Sequence, residues 1–144
     1  AYSPQDLSAA EIPMSKFRAW LTGKVIEPIL MEQPLVSEEY AFGGTPDFFG
    51  SVNGVRTLLD FKTSGAVYPE NFYQLAAYEQ LLIENDYDPV EDIKIIRIGK
   101  SLDDGFEERV IKDIANSWEI FRFCQGIYEC QREMRKTNND RKEE

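Results

Sequence analysis

The spacing of apolar residues predicts a helix near the start of the chain. Apolar side chains recur there at intervals of three and four residues, as in Met14, Phe17 and Leu21, which places them on one helical face. Pro13 is suited to the first turn of such a helix because no backbone N–H is needed there, and Gly23 is expected to end it. The pattern before residue 34 is therefore helical.

Extended segments are predicted in the middle of the chain. Residues alternate loosely from 34 to 42, and two glycines then break the run before a second extended segment, 45–52. A third segment, 55–62, follows directly after Asn53-Gly54. This dipeptide is a strong hairpin signal because both central positions of a type I′ turn require positive φ. Segments 45–52 and 55–62 are therefore predicted to pair as an antiparallel hairpin.

The second half of the chain mixes helical and extended patterns. A helix over 69–84 is predicted to begin with Pro69 and to carry one apolar stripe of Leu75, Tyr78 and Leu82. After Pro89, segment 92–99 is apolar on both faces near its middle, which fits a buried strand, and 106–111 is expected to pair with it. A long closing helix is predicted from residue 113 to about residue 134.

The length and apolar content of the chain indicate a single domain. With 144 residues, of which 42% are hydrophobic, the chain can bury one ordinary core but is short for two typical domains. We expect the domain to span 1–135 and a frayed polar tail to span 136–144. Because no apolar run approaches roughly 18 residues and no signal-peptide pattern is present, we expect a cytoplasmic protein that does not bind membranes.

The residue types that are missing limit the metal chemistry. The chain has no histidine, and its two cysteines, Cys124 and Cys130, stand six positions apart without further cysteines nearby. A zinc or iron-sulfur site is therefore not expected, and the cysteines are predicted to be helix-surface or core thiols rather than a disulfide. Any metal must be held by oxygen ligands, which points to Mg²⁺ or Mn²⁺.

The net charge of -10 opposes a nucleic-acid function, because proteins bind the phosphate backbone mainly through lysine and arginine. A cluster of catalytic acids would contribute to this negative charge, and bound divalent cations would reverse its sign locally. Contacts to DNA would then require a local basic patch. The candidates are Lys16, Arg18, Lys24, Arg97 and Lys100, and the alternative is that they are ordinary solvated charges.

The predicted hairpin register brings two acids together. A two-residue turn pairs Val52 with Val55, and the same register places Asp47 opposite Asp60. Directly opposed residues have Cβ atoms about 4.5 to 5.5 Å apart on one face, where like charges destabilise the sheet. Lys62 lies on the same side as Asp60, since strand side chains alternate, and its position faces Thr45.

A divalent cation would relieve this repulsion. Asp47 and Asp60 would then be oxygen ligands, with the backbone carbonyl of Phe61 as a third, and Lys62 would orient or deprotonate the attacking water. This is the chemistry of metal-assisted phosphodiester hydrolysis. The alternative is that Asp60 and Lys62 form a solvent-facing ion pair on an edge hairpin.

Further polar residues lie near this pair in the sequence. Gln74 and Tyr78 are four residues apart, hence on one helical face, and can reach the same group. Alternatively, Gln74 is a solvated polar residue and Tyr78 a core aromatic with its hydroxyl at the rim. Glu32, Glu38 and Glu39 could supply another ligand, although each alone is typical of a surface acid.

Three short motifs follow one another along the chain: Gly44-Thr45-Pro46-Asp47, then Leu58-Leu59-Asp60-Phe61-Lys62-Thr63-Ser64, then Gln74-Leu75-Ala76-Ala77-Tyr78. Together they resemble the RecB-like branch of the PD-(D/E)XK nucleases, which includes phage-type exonucleases. That branch has a G-x-x-D acid, a D/E-x-K strand and a Q-x-x-x-Y helix in this order. Phe17 to Trp20 and Met31-Glu32 also resemble its pre-strand helix and following acid, so the resemblance covers about residues 14–84.

The resemblance implies an α/β, restriction-endonuclease-like core with a central mixed β-sheet flanked by helices. It implies an Mg²⁺-dependent or Mn²⁺-dependent deoxyribonuclease, favours an exonuclease, and suggests a bacterial or phage-encoded enzyme of DNA recombination, repair or phage DNA processing. DNA is the implied partner, and a second copy or a recombination protein remains open. The implied site comprises Glu32, Asp47 and Asp60 as metal-site acids, Lys62 as catalytic lysine, and Gln74 and Tyr78 as groups that position the substrate or the lysine.

The chain also departs from this family. Relatives often carry a histidine or glutamate on an upstream helix, whereas this chain lacks histidine and begins at Ala1. It is therefore expected to be a fragment or a processed form that lacks an upstream helical region. Two other functions remain open: a catalytically silent nuclease-fold module acting in protein assembly or DNA scaffolding, and an acidic partner-binding domain whose match to the motifs is accidental.

Overall fold

The computed structural model describes residues 4–101 and 103–143. Its elements, in chain order, are α1 (Pro4–Leu21), β1 (Ile26–Met31), β2 (Leu35–Ser37), β3 (Phe42–Gly44), β4 (Phe48–Val52), β5 (Val55–Lys62), α2 (Pro69–Glu84), β6 (Asp92–Ile98), β7 (Phe106–Val110) and α3 (Ile114–Glu143). None of the helices in these two ranges is long and apolar enough to cross a membrane. Residues 1–3 of the predicted domain and Glu144 of the predicted tail lie outside the described residues.

A five-stranded mixed sheet forms the centre of the fold. Its strand order is β1-β4-β5-β6-β7, and a separate two-stranded sheet joins β2 to β3. The pair β5–β6 is parallel, as expected for strands that are connected by a helix, and the other neighbours are antiparallel. The predicted α/β class, with a central mixed sheet flanked by helices, is therefore confirmed.

Each face of the central sheet carries its own apolar cluster. On one face, Phe49, Leu58 and Ile95 pack with α2 through residues such as Leu75 and Leu82. On the other face, a second set of apolar side chains packs with Trp20 of α1, and these are Phe48, Val52, Leu59, Ile96 and Ile98. Because side chains alternate along a strand, β5 directs Leu58, Asp60 and Lys62 towards α2.

The hairpin between β4 and β5 has the predicted turn and register. Asn53 and Gly54 have φ values of 51° and 82°, and Val52 pairs with Val55. The ladder continues to Phe48 opposite Leu59 and then stops. Asp47 therefore lies one residue beyond the last pair, and the strand predicted from residue 45 begins only at Phe48. The predicted pairing of residues 45 and 62 is not part of the ladder.

Two expectations for the first third of the chain were wrong. Helix α1 begins at Pro4, so Pro13 lies inside the helix rather than in its first turn. The sequence pattern also missed β1, an edge strand with Pro28 in its middle and a register shift between Pro28 and Leu30. Proline and an irregular ladder are both tolerated at a sheet edge, and they remove the alternation that identifies a strand.

The predictions for the second half agree more closely with the structure. The bounds of α2 and its N-terminal Pro69 are as predicted, and β6 and β7 pair as expected. The closing helix, however, extends to Glu143, so residues 136–143 are helical rather than frayed. Cys124 and Cys130 are free, exposed thiols on this helix, as predicted.

Candidate active site

The two predicted acids meet where β4 and β5 leave the ladder. Asp60 lies near the end of β5 and is only 2% exposed, while Asp47 is half-buried. The Asp47 carboxylate accepts a hydrogen bond of 2.9 Å from the backbone N–H of Phe61, which fixes its side chain against β5. The sequence-derived register therefore predicted the partner strand of Asp47 correctly, although no backbone pair forms at this position.

Lys62, Gln74 and Tyr78 continue from Asp60 as one connected network. The Lys62 ammonium lies 3.0 Å from Asp60 Oδ2 and donates a hydrogen bond of 3.0 Å to Gln74 Oε1. Gln74 Nε2 in turn donates to the Tyr78 hydroxyl over 2.9 Å. Because Tyr78 holds the amide nitrogen, the amide oxygen of Gln74 is directed at the lysine. The structure thus brings together five of the predicted residues, counting Asp47.

Gly44 provides the space that Tyr78 occupies. A Cβ at position 44 would lie 2.7 Å from Tyr78 Cε1 and 3.2 Å from Leu81 Cδ1. The first of these distances is shorter than real Cβ contacts, so any larger residue would displace the Tyr78 ring. The first residue of the G-x-x-D motif therefore acts through packing, and it supports the far end of the network.

Burial makes the Asp60 carboxylate a poor site for an isolated negative charge. The pKa of Asp60 rises from 3.8 to about 6, mainly because the carboxyl group is buried. The nearby Lys62 ammonium lowers this pKa, and the Asp47 carboxylate raises it. Asp60 Oδ2 also lacks a hydrogen-bond partner, since the contact with Lys62 is an ion pair of poor hydrogen-bond direction. A proton or a further cation at this oxygen would reduce the cost of burying its charge.

The Tyr78 hydroxyl stays protonated in this environment. Burial raises the pKa of Tyr78, and the negative charges of Asp60 and Asp47 raise it further. The phenol therefore keeps a proton that it can donate, while its oxygen accepts from Gln74. A neutral hydroxyl at this position can position groups by hydrogen bonding but cannot act as a base.

The acid pair fits a hard divalent cation that takes its other ligands from water and substrate. Mg²⁺ is commonly bound by one or two carboxylates together with waters and substrate phosphates, so Asp47 and Asp60 suffice for such a site. The buried Oδ2 of Asp60, which faces the Lys62 ammonium at 3.0 Å but accepts no well-directed hydrogen bond, is compatible with this fit. The backbone carbonyl of Phe61 as a further metal ligand stays a prediction. The side chain of Phe61 packs on the opposite face of the sheet against Phe17, with ring centroids 5.4 Å apart.

The predicted third acid, Glu32, is not brought into this pair. Among residues 4–101 and 103–143, no group of three or more Asp, Glu, Cys or His side chains is placed to hold a metal ion. The backbone N–H of Glu32 donates hydrogen bonds to the carbonyls of Pro46 and Asp47. The φ angle of Glu32 is 48°, however, and its side chain is exposed to solvent. Glu38 and Glu39 line a cavity with Glu84, near the end of α2.

Three of the five basic residues predicted to contact DNA make contacts within the fold. Lys16 donates to the carbonyls of Gly99, Ser101 and Asp104, and Lys24 lies over the Trp20 ring. The remaining candidates differ: Arg18 and Lys100 are exposed, whereas Arg97 is 8% exposed. DNA contact through these five residues stays a prediction, although three of the five cations also make contacts within the fold.

Arg97 has a structural position that the sequence pattern did not reveal. It pairs with Lys62 across the parallel β5–β6 ladder, and its guanidinium reaches Asp104 at 3.1 Å and Glu107 at 3.5 Å. Asp104 lies in the loop after β6, whereas Glu107 is the cross-strand partner of Arg97 on β7. The signals in the sequence were a charged residue on a buried strand and an acid on the strand predicted to pair with it. Arg97 thus anchors the segment after β6 close to Lys62.

Comparison with solved structures supports the fold. The chain resembles a protein from Eubacterium rectale named "Putative exonuclease", with a TM-score of 0.57 and 12% sequence identity over 83% of this chain. This chain spans about half the length of that structure, 51%. No protein-family model matches the sequence, and no curated protein matches it. At this level of identity the likeness establishes a shared nuclease-like fold.

Proposed function

We propose that this chain is a metal-dependent nuclease of the PD-(D/E)XK type that hydrolyses DNA phosphodiester bonds, with Mg²⁺ or Mn²⁺ as cofactor. The observation that carries the proposal is the connected network from Asp60 through Lys62 and Gln74 to Tyr78, with Asp47 beside it. A solvent-facing ion pair between Asp60 and Lys62, which is the alternative interpretation, would not require the hydrogen bonds to Gln74 and Tyr78. Lys62 is moreover only 25% exposed in its side chain, which argues against a solvent-facing pair.

Each residue has a distinct role in this proposal. Asp47 and Asp60 would hold the cation, which when bound lowers the pKa of water and polarises the phosphoryl oxygen. Lys62 holds its ammonium at the end of the acid pair, where it can orient the attacking water or stabilise charge on the phosphate. Gln74 and Tyr78 keep that ammonium in place. The buried position of Asp60 excludes bulk water and strengthens these interactions.

We further propose exonuclease rather than endonuclease activity, in DNA recombination, repair or phage DNA processing. The motif order of the chain supports this, and so does the shared fold with a protein that carries an exonuclease name. A recombination protein or a second copy of the chain is a proposed partner. The cytoplasm is the proposed location of this activity.

A catalytically silent nuclease-fold module is the second candidate. The contacts that Lys16, Lys24 and Arg97 make within the fold favour it, because phosphates would have to compete with those contacts. The net charge of -10 favours it as well. Such a module would act in protein assembly or DNA scaffolding, and it would lack metal-dependent cleavage.

One gel assay separates these functions. End-labelled linear DNA and closed circular DNA are incubated with the chain in Mg²⁺ and in EDTA, alongside Asp60→Asn and the control Glu119→Gln on the exposed surface of α3. Degradation of linear DNA alone, in Mg²⁺ alone, is expected for the wild type and the control. Cleavage of circular DNA would indicate an endonuclease. Equal cleavage by Asp60→Asn, or no cleavage by the wild type, would refute the proposal.

Binding of Mn²⁺ provides a second measurement. Calorimetry should give a saturable signal for the wild type and for Glu119→Gln, and no signal for Asp60→Ala. A signal that survives in Asp60→Ala would place the metal elsewhere. Mn²⁺ binding without cleavage would favour the silent module.

A further inference from the structure

A cavity lies directly beside the candidate active site. It has a volume of about 430 Å³ and opens between β3, α2 and α3. This volume falls within the range of about 300 to 1,000 Å³ that is typical of small-molecule sites. Gln74 and Tyr78 line the cavity and also belong to the Lys62 network, so the two features share a wall.

The remaining walls are mainly aromatic. Phe42, Tyr73 and Phe121 line the cavity together with the ring of Tyr78. Phe42 and Phe121 pack on each other with ring centroids 4.9 Å apart, which fixes two of these surfaces. Phe121 also stacks on Trp118, with ring centroids 5.5 Å apart. A further ring can contact such packed aromatic walls by face or by edge, and both geometries are favourable.

The charge at the cavity disfavours an anionic occupant. Glu70 is the one charged side chain among the lining residues, and its carboxylate would repel a phosphate. The same carboxylate can accept hydrogen bonds from an exocyclic amino group, as acidic side chains do from cytosine. An occupant that is flat, uncharged and amino-bearing fits both the walls and the rim.

We propose that this cavity binds an unpaired nucleobase of the DNA strand whose phosphate lies at the acid pair. This inference rests on the proposed nuclease function, and it assigns the substrate class as a DNA end with at least one unpaired nucleotide. A base in a duplex is stacked and paired, and it cannot enter a cavity without leaving the helix. The aromatic walls recognise the face of the base rather than its sequence.

Binding to two matched DNA ends tests the proposal. One is a duplex with a single-stranded overhang, and the other is the same duplex with abasic residues in the overhang. Fluorescence anisotropy is measured in Ca²⁺, so that the acids are neutralised. Stacking of one base on aromatic side chains corresponds to a preference of about 5-fold to 150-fold for the base-bearing end. Equal affinity of the wild type for both ends would overturn the proposal.

Two phenylalanines on α3 supply a matched pair of variants. Phe121→Leu removes a lining ring but keeps an apolar side chain, whereas Phe123 is 68% exposed and does not line the cavity. Phe121→Leu should lose most of the preference through weaker binding of the base-bearing end alone. Phe123→Leu should behave like the wild type. Equal weakening towards both ends in Phe121→Leu would indicate a structural role and contradict the proposal.

The two free cysteines give a readout that does not depend on cleavage. Cys124 lines the cavity and Cys130 does not, although both are exposed on α3. In a Cys130→Ser chain, the base-bearing end should slow the reaction of Cys124 with a thiol reagent, while the abasic end should not. In a Cys124→Ser chain, neither DNA should slow the reaction of Cys130. Unchanged reactivity of Cys124 with saturating base-bearing DNA would overturn the proposal.

These outcomes separate the two proposals. Cleavage in Mg²⁺ without any preference for base-bearing ends refutes the base site and leaves the nuclease function intact. Protection of Cys124 without cleavage refutes the nuclease function and retains the base site. Absence of both refutes both.

Discussion

Replacement of Asp60 by asparagine tests the electrostatic basis of the proposed metal site without any substrate. The buried carboxylate has its pKa raised from 3.8 to about 6, chiefly by burial. One pKa unit corresponds to about 1.4 kcal/mol, so the ionised group lowers the stability of the metal-free fold by an amount on the order of 3 kcal/mol. Asparagine has nearly the same shape and carries no charge. Asp60→Asn should therefore stabilise the metal-free protein at pH 8 by about 1 to 3 kcal/mol.

The sign of the pH dependence follows from the direction of this shift. Between pH 3.8 and about pH 6, folded chains keep the proton on Asp60 that unfolded chains have released. The folded state then binds more protons, so stability falls as the pH rises through this window. The contribution is fully present below pH 3.8 and is lost above about pH 6. Asp60→Asn should remove this component of the pH profile.

Urea unfolding in EDTA between pH 4 and pH 8 measures both effects. The exposed aspartate Asp103 gives the control, since Asp103→Asn should change neither the stability nor the pH profile by a comparable amount. Adding Mg²⁺ at pH 8 should stabilise the wild type and Asp103→Asn but not Asp60→Asn. If Asp60→Asn is less stable than the wild type in EDTA at pH 8, the carboxylate has a structural role and the reasoning fails.

The remaining predictions concern cleavage, packing and DNA binding. Lys62→Ala should abolish cleavage and leave Mn²⁺ affinity nearly unchanged in calorimetry, because the ammonium acts on water or phosphate; equal loss of both would contradict that role. Gly44→Ala should displace Tyr78 and destabilise the fold by about 1 to 3 kcal/mol in urea unfolding; a neutral effect would show that the ring moves freely. DNA binding measured by anisotropy should be weak, fall steeply with salt, and rise when Ca²⁺ replaces EDTA; no binding in either condition would favour the silent module.

The parts of the fold that could be predicted are those with regular local patterns. Strand β5 and helix α2 were predicted with the observed bounds because the Asn53-Gly54 turn sets the start of β5 and Pro69 sets the start of α2. Edge strand β1 could not be predicted, since most of its side chains are exposed and alternation does not develop. The helical end of α3 was also missed, because a helix without an apolar face has no periodic signal.

The site was predictable to the extent that it depends on strand register and helix spacing. Asp60 and Lys62 share a strand face, and Gln74 and Tyr78 share a helix face, so their convergence required only that α2 cover that side of the sheet. The position of Glu32 depends on a positive φ beyond an edge strand, which no periodicity encodes. The contacts of Lys16 with the segment after β6 and of Arg97 with Asp104 depend on loop geometry, and the sequence pattern could not predict them.

The connected network of the site lies within one contiguous stretch, from Asp47 to Tyr78. Contacts between residues close in sequence close short loops, which costs little chain entropy and allows fast formation. Edge strand β1, by contrast, joins the sheet through pairs that are farther apart in the sequence, such as Ile26 with Val52. This stretch also contains β4 and β5, the strands that join β1 to β6 in the sheet, so its exchange between two chains of this fold would exchange the candidate site and the middle of the sheet together.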